Sequence, residues 1–102
     1  MEARLRTELW TSFASVLRSY AAAHGMNSTH HAVVEVGAQV LILRVASRWL
    51  EVRMQDDAIG TVSWDDGRSL PFALHEDGSV SLGEQREEMD MAAEQLAREM
   101  LH

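Results

Sequence analysis

The side chains of this 102-residue chain that could carry chemistry are its carboxylates and histidines. There is no cysteine and no lysine; all nine basic residues are arginine. Their absence excludes a disulfide framework, a thiolate zinc site, a cysteine nucleophile, Schiff-base chemistry and a P-loop. Serines are plentiful, but none stands in a Gly-x-Ser-x-Gly turn, and neither H-E-x-x-H nor Gly-x-Gly-x-x-Gly occurs. Acid–base catalysis by two carboxylates needs one of them held in an apolar pocket. The adjacent acidic pairs, Asp56-Asp57, Asp65-Asp66 and Glu76-Asp77, instead fall where turns are expected and water solvates both charges. No catalytic constellation is present, and the chain reads as a non-enzyme with no cofactor.

Two ligand sets remain. Asp56, Asp57, Glu76 and Asp77 sit in turns expected at one end of a sheet, roughly 10 Å apart at about 4.8 Å per strand. If those turns lean together they make a weak, wet divalent-cation site. Aspartate also suits turns for its own sake. His24, with His30 or His31 and with Asp65 or Asp66, could supply three ligands to zinc or iron. His30 and His31 face opposite ways if both are in a strand, so only one could join.

The net charge of −7 divides as +1 over residues 1–24, −4 over 25–83 and −4 over 84–102. Nucleic acid and anionic lipid are recognised by clustered cations, and no basic cluster exists, so neither is an expected partner. Met1-Glu2-Ala3-Arg4 opens directly into an amphipathic pattern without a long apolar run, which reads as a cytoplasmic chain outside the membrane.

The elements that must position these residues follow from periodicity. Leu5, Leu9, Phe13, Val16, Leu17 and Tyr20 recur at steps of three and four, predicting a helix over 3–24, with Gly25 as its stop and Trp10 at its flank. From residue 31 the period becomes two, predicting six strands near 31–36, 39–45, 48–55, 59–65, 68–74 and 79–82. Asp66-Gly67 and Asp77-Gly78 signal two-residue turns. The run 39–45 is apolar on both faces and belongs in the middle of a sheet. Residues 46–55 also fit a short helix, with strand the preferred reading. Pro71 cannot donate to a ladder, so its strand needs a free side there, at a bulge or beside a short sixth strand. Met89, Ala92, Ala93, Leu96, Ala97 and Met100 predict a closing helix over 84–101. Ser81 and Glu84 would form its capping box, and Glu84, Glu87 and Glu88 would face its positive end. The whole chain, 1–102, is then one α+β domain. It is a two-layer sandwich of an N-terminal helix, an antiparallel meander and a C-terminal helix, both helices on one sheet face.

This element order, with Val34-Glu35-Val36-Gly37-Ala38-Gln39-Val40-Leu41-Ile42-Leu43 as first hairpin, resembles the frataxin-like arrangement. The resemblance implies cation binding by carboxylates. Frataxins carry an acidic ridge along the first helix and strand, where this chain has Glu2 and Glu8 among Arg4, Arg6 and Arg18. In size, charge and terminal helices the chain also resembles small acidic secretion chaperones, which imply a dimer that binds extended protein segments. Those chaperones interpose a helix among the strands, a place only residues 46–55 could fill.

With Leu50, Val52 and Met54 pointing to the helices, Trp49, Glu51 and Arg53 point away, while Trp64 joins Val62 on the inside. A tryptophan beside aliphatic residues and an arginine has the composition of a protein-binding hot spot. A loop or a homodimer seam covering Trp49 accounts for it equally well. The expectation is a small acidic interaction module that binds a protein partner or itself through this face or a strand edge. Cation binding by Asp56, Asp57, Glu76 and Asp77 is the alternative.

Overall fold

Alternating apolar and polar residues fold into seven strands between two helices in a computed structural model that describes residues 1–26 and 31–101. The order is α1 (Ala3–Gly25), β1 (Ala32–Val36), β2 (Val40–Val45), β3 (Arg48–Met54), β4 (Ile59–Trp64), β5 (Ser69–Leu74), β6 (Ser79–Leu82), β7 (Gln85–Glu88) and α2 (Met89–Met100). Each strand pairs antiparallel with the next, so spatial order equals chain order. Residues 46–55 contain no helix: Ala46 and Ser47 form a tight turn and β3 follows.

The register aligns one apolar row after another on a single face. Leu43 lies opposite Leu50, which lies opposite Trp64; Leu41, Val52 and Val62 form the next row. Phe72, Leu74, Val80 and Leu82 extend this face across β5 and β6. Both helices pack on it and against each other. Helix α1 buries Trp10, Phe13, Ala14, Leu17 and Ala21, and α2 buries Ala92, Ala93, Leu96, Ala97 and Met100. These side chains and the sheet rows make one continuous core, with the Phe13 and Phe72 rings tilted at 56° and 5.2 Å apart. Trp10 is therefore a core residue and not a flanking one. Its indole Nε1 donates to the Gly37 carbonyl at 2.9 Å, so burial leaves no donor unpaired. Leu70 shares this face but stays 39% exposed, lying against the β6–β7 turn at Gly83.

The seventh strand is the main departure from expectation. Gln85–Glu88 pairs with β6 through Leu82↔Gln85, Ser81↔Arg86, Val80↔Glu87 and Ser79↔Glu88. The closing helix thus starts at Met89 and not at residue 84. Ser81 and Glu84 form no capping box, and Glu84 and Glu87 lie outside the first turn, whose acid is Asp90. The reason lies in the turn Gly83-Glu84. Gly83 takes φ +62°, and a glycine with positive φ in first place is what a two-residue hairpin of the II′ kind requires. Because one strand is added, α2 begins at the end of the sheet opposite to the one expected, beside Ser79 and the β5–β6 turn.

The two Asp-Gly turns hold three loop residues, not two. Gly67 N donates to Trp64 O and Trp64 N to Arg68 O; Gly78 N donates to His75 O and His75 N to Ser79 O. Gly67 and Gly78 take φ +92° and +89°. This is a type I turn closed by a left-handed glycine, the common three-residue hairpin loop. Pro71 sits where the short sixth strand has ended, and its carbonyl accepts from Gly83 N at 2.8 Å.

Two backbone sites should respond oppositely to substitution. Ala46 occupies the first position of the β2–β3 turn at φ 56°, a conformation costing an alanine about 1 kcal/mol. Ala46→Gly should raise unfolding free energy by about 0.5–1 kcal/mol in urea titration. At Gly60 a Cβ would lie 2.1 Å from the Arg53 carbonyl oxygen and 2.8 Å from Met54 Cα. Gly60→Ala should lower stability by about 2 kcal/mol or more in the same assay.

Candidate protein-binding face

The same alternation that buries one side of the sheet leaves the other uncovered. Its positions are Val33 and Glu35 on β1, Val40, Ile42 and Arg44 on β2, and Trp49, Glu51 and Arg53 on β3. Ile59, Thr61 and Ser63 continue it on β4, Ser69, Pro71 and Ala73 on β5, Ser79 and Ser81 on β6, and Arg86 and Glu88 on β7. None of them is buried. The strands therefore place Trp49, Glu51 and Arg53 together on the open face, as their alternation with Leu50, Val52 and Met54 requires.

Charge on this face is balanced within a strongly acidic protein. Glu35, Glu51 and Glu88 offset Arg44, Arg53 and Arg86, so the net −7 is carried entirely by the rest of the chain. Two of the pairs are direct: Arg44 Nε to Glu35 Oε1 and Arg53 Nε to Glu51 Oε1, each 2.9 Å. Such exposed pairs contribute little stability, but they hold the side chains extended over the sheet and cancel each other's field. Arg44 lies opposite Trp49, and Ile42 opposite Glu51. These four residues line a shallow depression of about 250 Å³ with the half-buried indole in its wall. Across β4 to β6 the face carries Thr61, Ser63, Ser69, Pro71, Ala73, Ser79 and Ser81, a floor of mostly short side chains with the exposed Ile59 standing at its β3–β4 end. A raised aromatic and aliphatic rim beside a low floor is a shape that a flat protein surface or an extended segment can follow. Ile42 and Arg44 enlarge the expected group of Trp49, Glu51 and Arg53; the signal that could have found them is their parity, opposite to that of the buried Leu41 and Leu43.

Trp64 is on the helix side, buried, with the Arg68 guanidinium 4.5 Å above its ring. Its indole nitrogen has no hydrogen-bond partner among the described residues.

The other predicted residues lie in the turns at one sheet end, Asp56 and Asp57 after β3, Glu76 and Asp77 after β5. The first turns of α1 hold this end. Arg6 donates to the carbonyls of Asp57 and Ala38, and the Met1 ammonium meets Asp57 Oδ2 at 2.6 Å. The hydrogen bond and charge of Asp57, with the more distant charge of Glu76, raise the pKa of that ammonium. Asp77 is engaged within its own turn, accepting from Ser79 Oγ at 2.7 Å, Ser79 N at 2.9 Å and Arg86 at 3.2 Å. Among the described residues, no three His, Asp or Glu side chains come together in a group that could hold a metal ion. His24 and His31 lie at the far end of α1 and before β1; His30 is outside the described residues.

No protein-family model, curated protein or solved structure matches the chain. The expected order of helix, antiparallel meander and helix is present, and among the described residues no helix is interposed between the strands. Among those residues no helix is long and apolar enough to cross a membrane.

The side-chain and backbone hydrogen bonds from Ser79, helped by Arg86, bring Asp77 down to about 2. A carboxyl depressed in the folded state stabilises it above the unfolded pKa, and that contribution fades as pH falls from about 4 toward 2. A carboxyl-detected NMR titration should place the Asp77 midpoint near pH 2, and Ser79→Ala should move it upward.

Proposed function

We propose that this protein is a small non-enzymatic interaction module that binds a protein, a partner or a second copy, through the outer face of its sheet. The observation carrying this reading is the electrical neutrality of a wide, unroofed face in a chain of net charge −7, with Trp49 set among Ile42, Arg44 and Glu51. Neutral, partly apolar surface can be desolvated against a partner, whereas the acidic remainder of the molecule keeps non-specific neighbours away. Tryptophan and arginine are among the side chains that most often dominate such contacts, each burying a large area. The floor of short side chains beyond them gives a partner room to approach the backbone.

The test is Trp49→Ala, since Trp49 faces away from the core and its loss leaves the buried rows intact. Association should weaken by about tenfold or more, as loss of a central aromatic costing about 2 kcal/mol implies, with circular dichroism and melting temperature little changed. Sedimentation velocity and pull-down with the purified variant read this directly. A sedimentation profile and a set of captured partners both identical to those of the parent chain would contradict the reading.

A further inference from the structure

The two edges of the sheet differ. β7, Gln85–Glu88, carries Arg86, Glu87 and Glu88, and Glu87 turns its carboxylate toward the helix side, where one oxygen is buried without a partner among the described residues. An inward-pointing charge on a short edge strand is a device that discourages pairing with another chain. β1, Ala32–Val36, has only Glu35 as a charge, and that is neutralised by Arg44. It also bears two of the six large hydrophobic residues exposed among the described residues, Val33 at 50% and Val36 at 41%.

The hydrogen-bonding parity of β1 is fixed by its turn. Gly37 N donates to Val40 O, so by antiparallel alternation Glu35 and Val33 bond to β2, while Ala32, Val34 and Val36 direct their amides and carbonyls away from the sheet. Of these outward groups, the Val34 carbonyl is touched by Arg18, through a 3.4 Å hydrogen bond from an exposed side chain. This is at the limit of bonding distance, and a carbonyl retains a second lone pair.

We infer that β1 pairs antiparallel with β1 of a second copy of this chain about a two-fold axis at Val34, joining two seven-stranded sheets into one. This is a second interaction surface, the sheet edge, which goes beyond the outer face proposed above and stands independently of it. A second copy is favoured over a foreign strand because the sequence is self-complementary in this register. Val34 meets the partner's Val34, and Ala32 meets the partner's Val36, each pair exchanging both backbone bonds. On the helix side the row Leu43–Val34 continues into the partner's Val34 and the partner's Leu43 as unbroken apolar surface. On the outer face Glu35 stands opposite the partner's Val33, so no like charges are opposed across the seam. The exposed surfaces of Val33 and Val36 are covered in the same step.

Val34→Pro tests this, because the Val34 amide makes no bond to β2 and a proline there leaves the β1–β2 ladder intact. In sedimentation equilibrium the parent chain should be a dimer, and folded Val34→Pro should weaken dimerisation at least tenfold. Should the proline variant fail to fold, amide exchange on the parent chain decides. The Val34 and Val36 amides should slow with rising protein concentration, and exchange of both as freely in concentrated as in dilute solution would overturn the inference. A monomer at several hundred micromolar, or a Val34→Pro dimer as tight as the parent, would overturn it too. Trp49→Ala separates the two proposals. Dimer lost in Val34→Pro but kept in Trp49→Ala supports the edge. Dimer kept in Val34→Pro but lost in Trp49→Ala overturns the edge and leaves the outer-face reading standing.

Discussion

Both helices bear on one face of a seven-stranded sheet, and every other property of the molecule follows from that one-sided packing. The rows through Leu41, Leu43, Leu50, Val52, Val62, Phe72 and Val80 are buried because Phe13, Leu17 and Leu96 lie over them. A helix can cover only the side it touches, so the residues alternating with those rows are left to water. Strand pairing by consecutive hairpins makes the arrangement robust: a slip of one residue in any strand would exchange its core and solvent sets. Trp10 shows how closely helix and turns are joined, since its ring fills core while its nitrogen holds the Gly37 carbonyl.

The uncovered side has a different character from the rest of the surface. Elsewhere the chain is acidic, with exposed carboxylates at the turns and along α2; on the open face three arginines balance three glutamates. Balanced charge costs little in self-repulsion when two surfaces meet, and paired side chains are already partly ordered. The acidic turns are occupied in their own way. Asp77 caps the turn that contains it, and Asp57 receives the chain's own ammonium group. These carboxylates serve local geometry first.

Much of the architecture was legible in the residues. The switch from a step of three and four to a step of two after Gly25, and the return to three and four through Met89, Ala92 and Leu96, marks both helices and the sheet, although the closing helix was expected to start at residue 84. Trp49 and Trp64 could be placed on opposite faces from parity alone, and so could Glu51 and Arg53. The strand 85–88 was not legible from polarity, because Gln-Arg-Glu-Glu ahead of an apolar stripe is also how a helix begins. Pairing with β6 prevailed over that local preference; the clue was Gly83, in the first place of a two-residue loop. The depth of Trp10 was likewise hidden, since its partner Gly37 is 27 residues away and no local pattern links them. Edge parity on β1 could be settled only once the Gly37–Val40 bond was known.

One-sided packing makes the two sheet faces differ in their access to solvent. It is tested most directly by methyl NMR of a dilute sample with a soluble paramagnetic probe, which broadens signals in proportion to their access to solvent. The methyl groups of Val40, Ile42 and Ile59 should be strongly broadened, while those of Leu43, Val52, Val62 and Val80 stay sharp. Equal protection of both sets in the monomer would mean that a helix covers each side of the sheet, which contradicts one-sided packing.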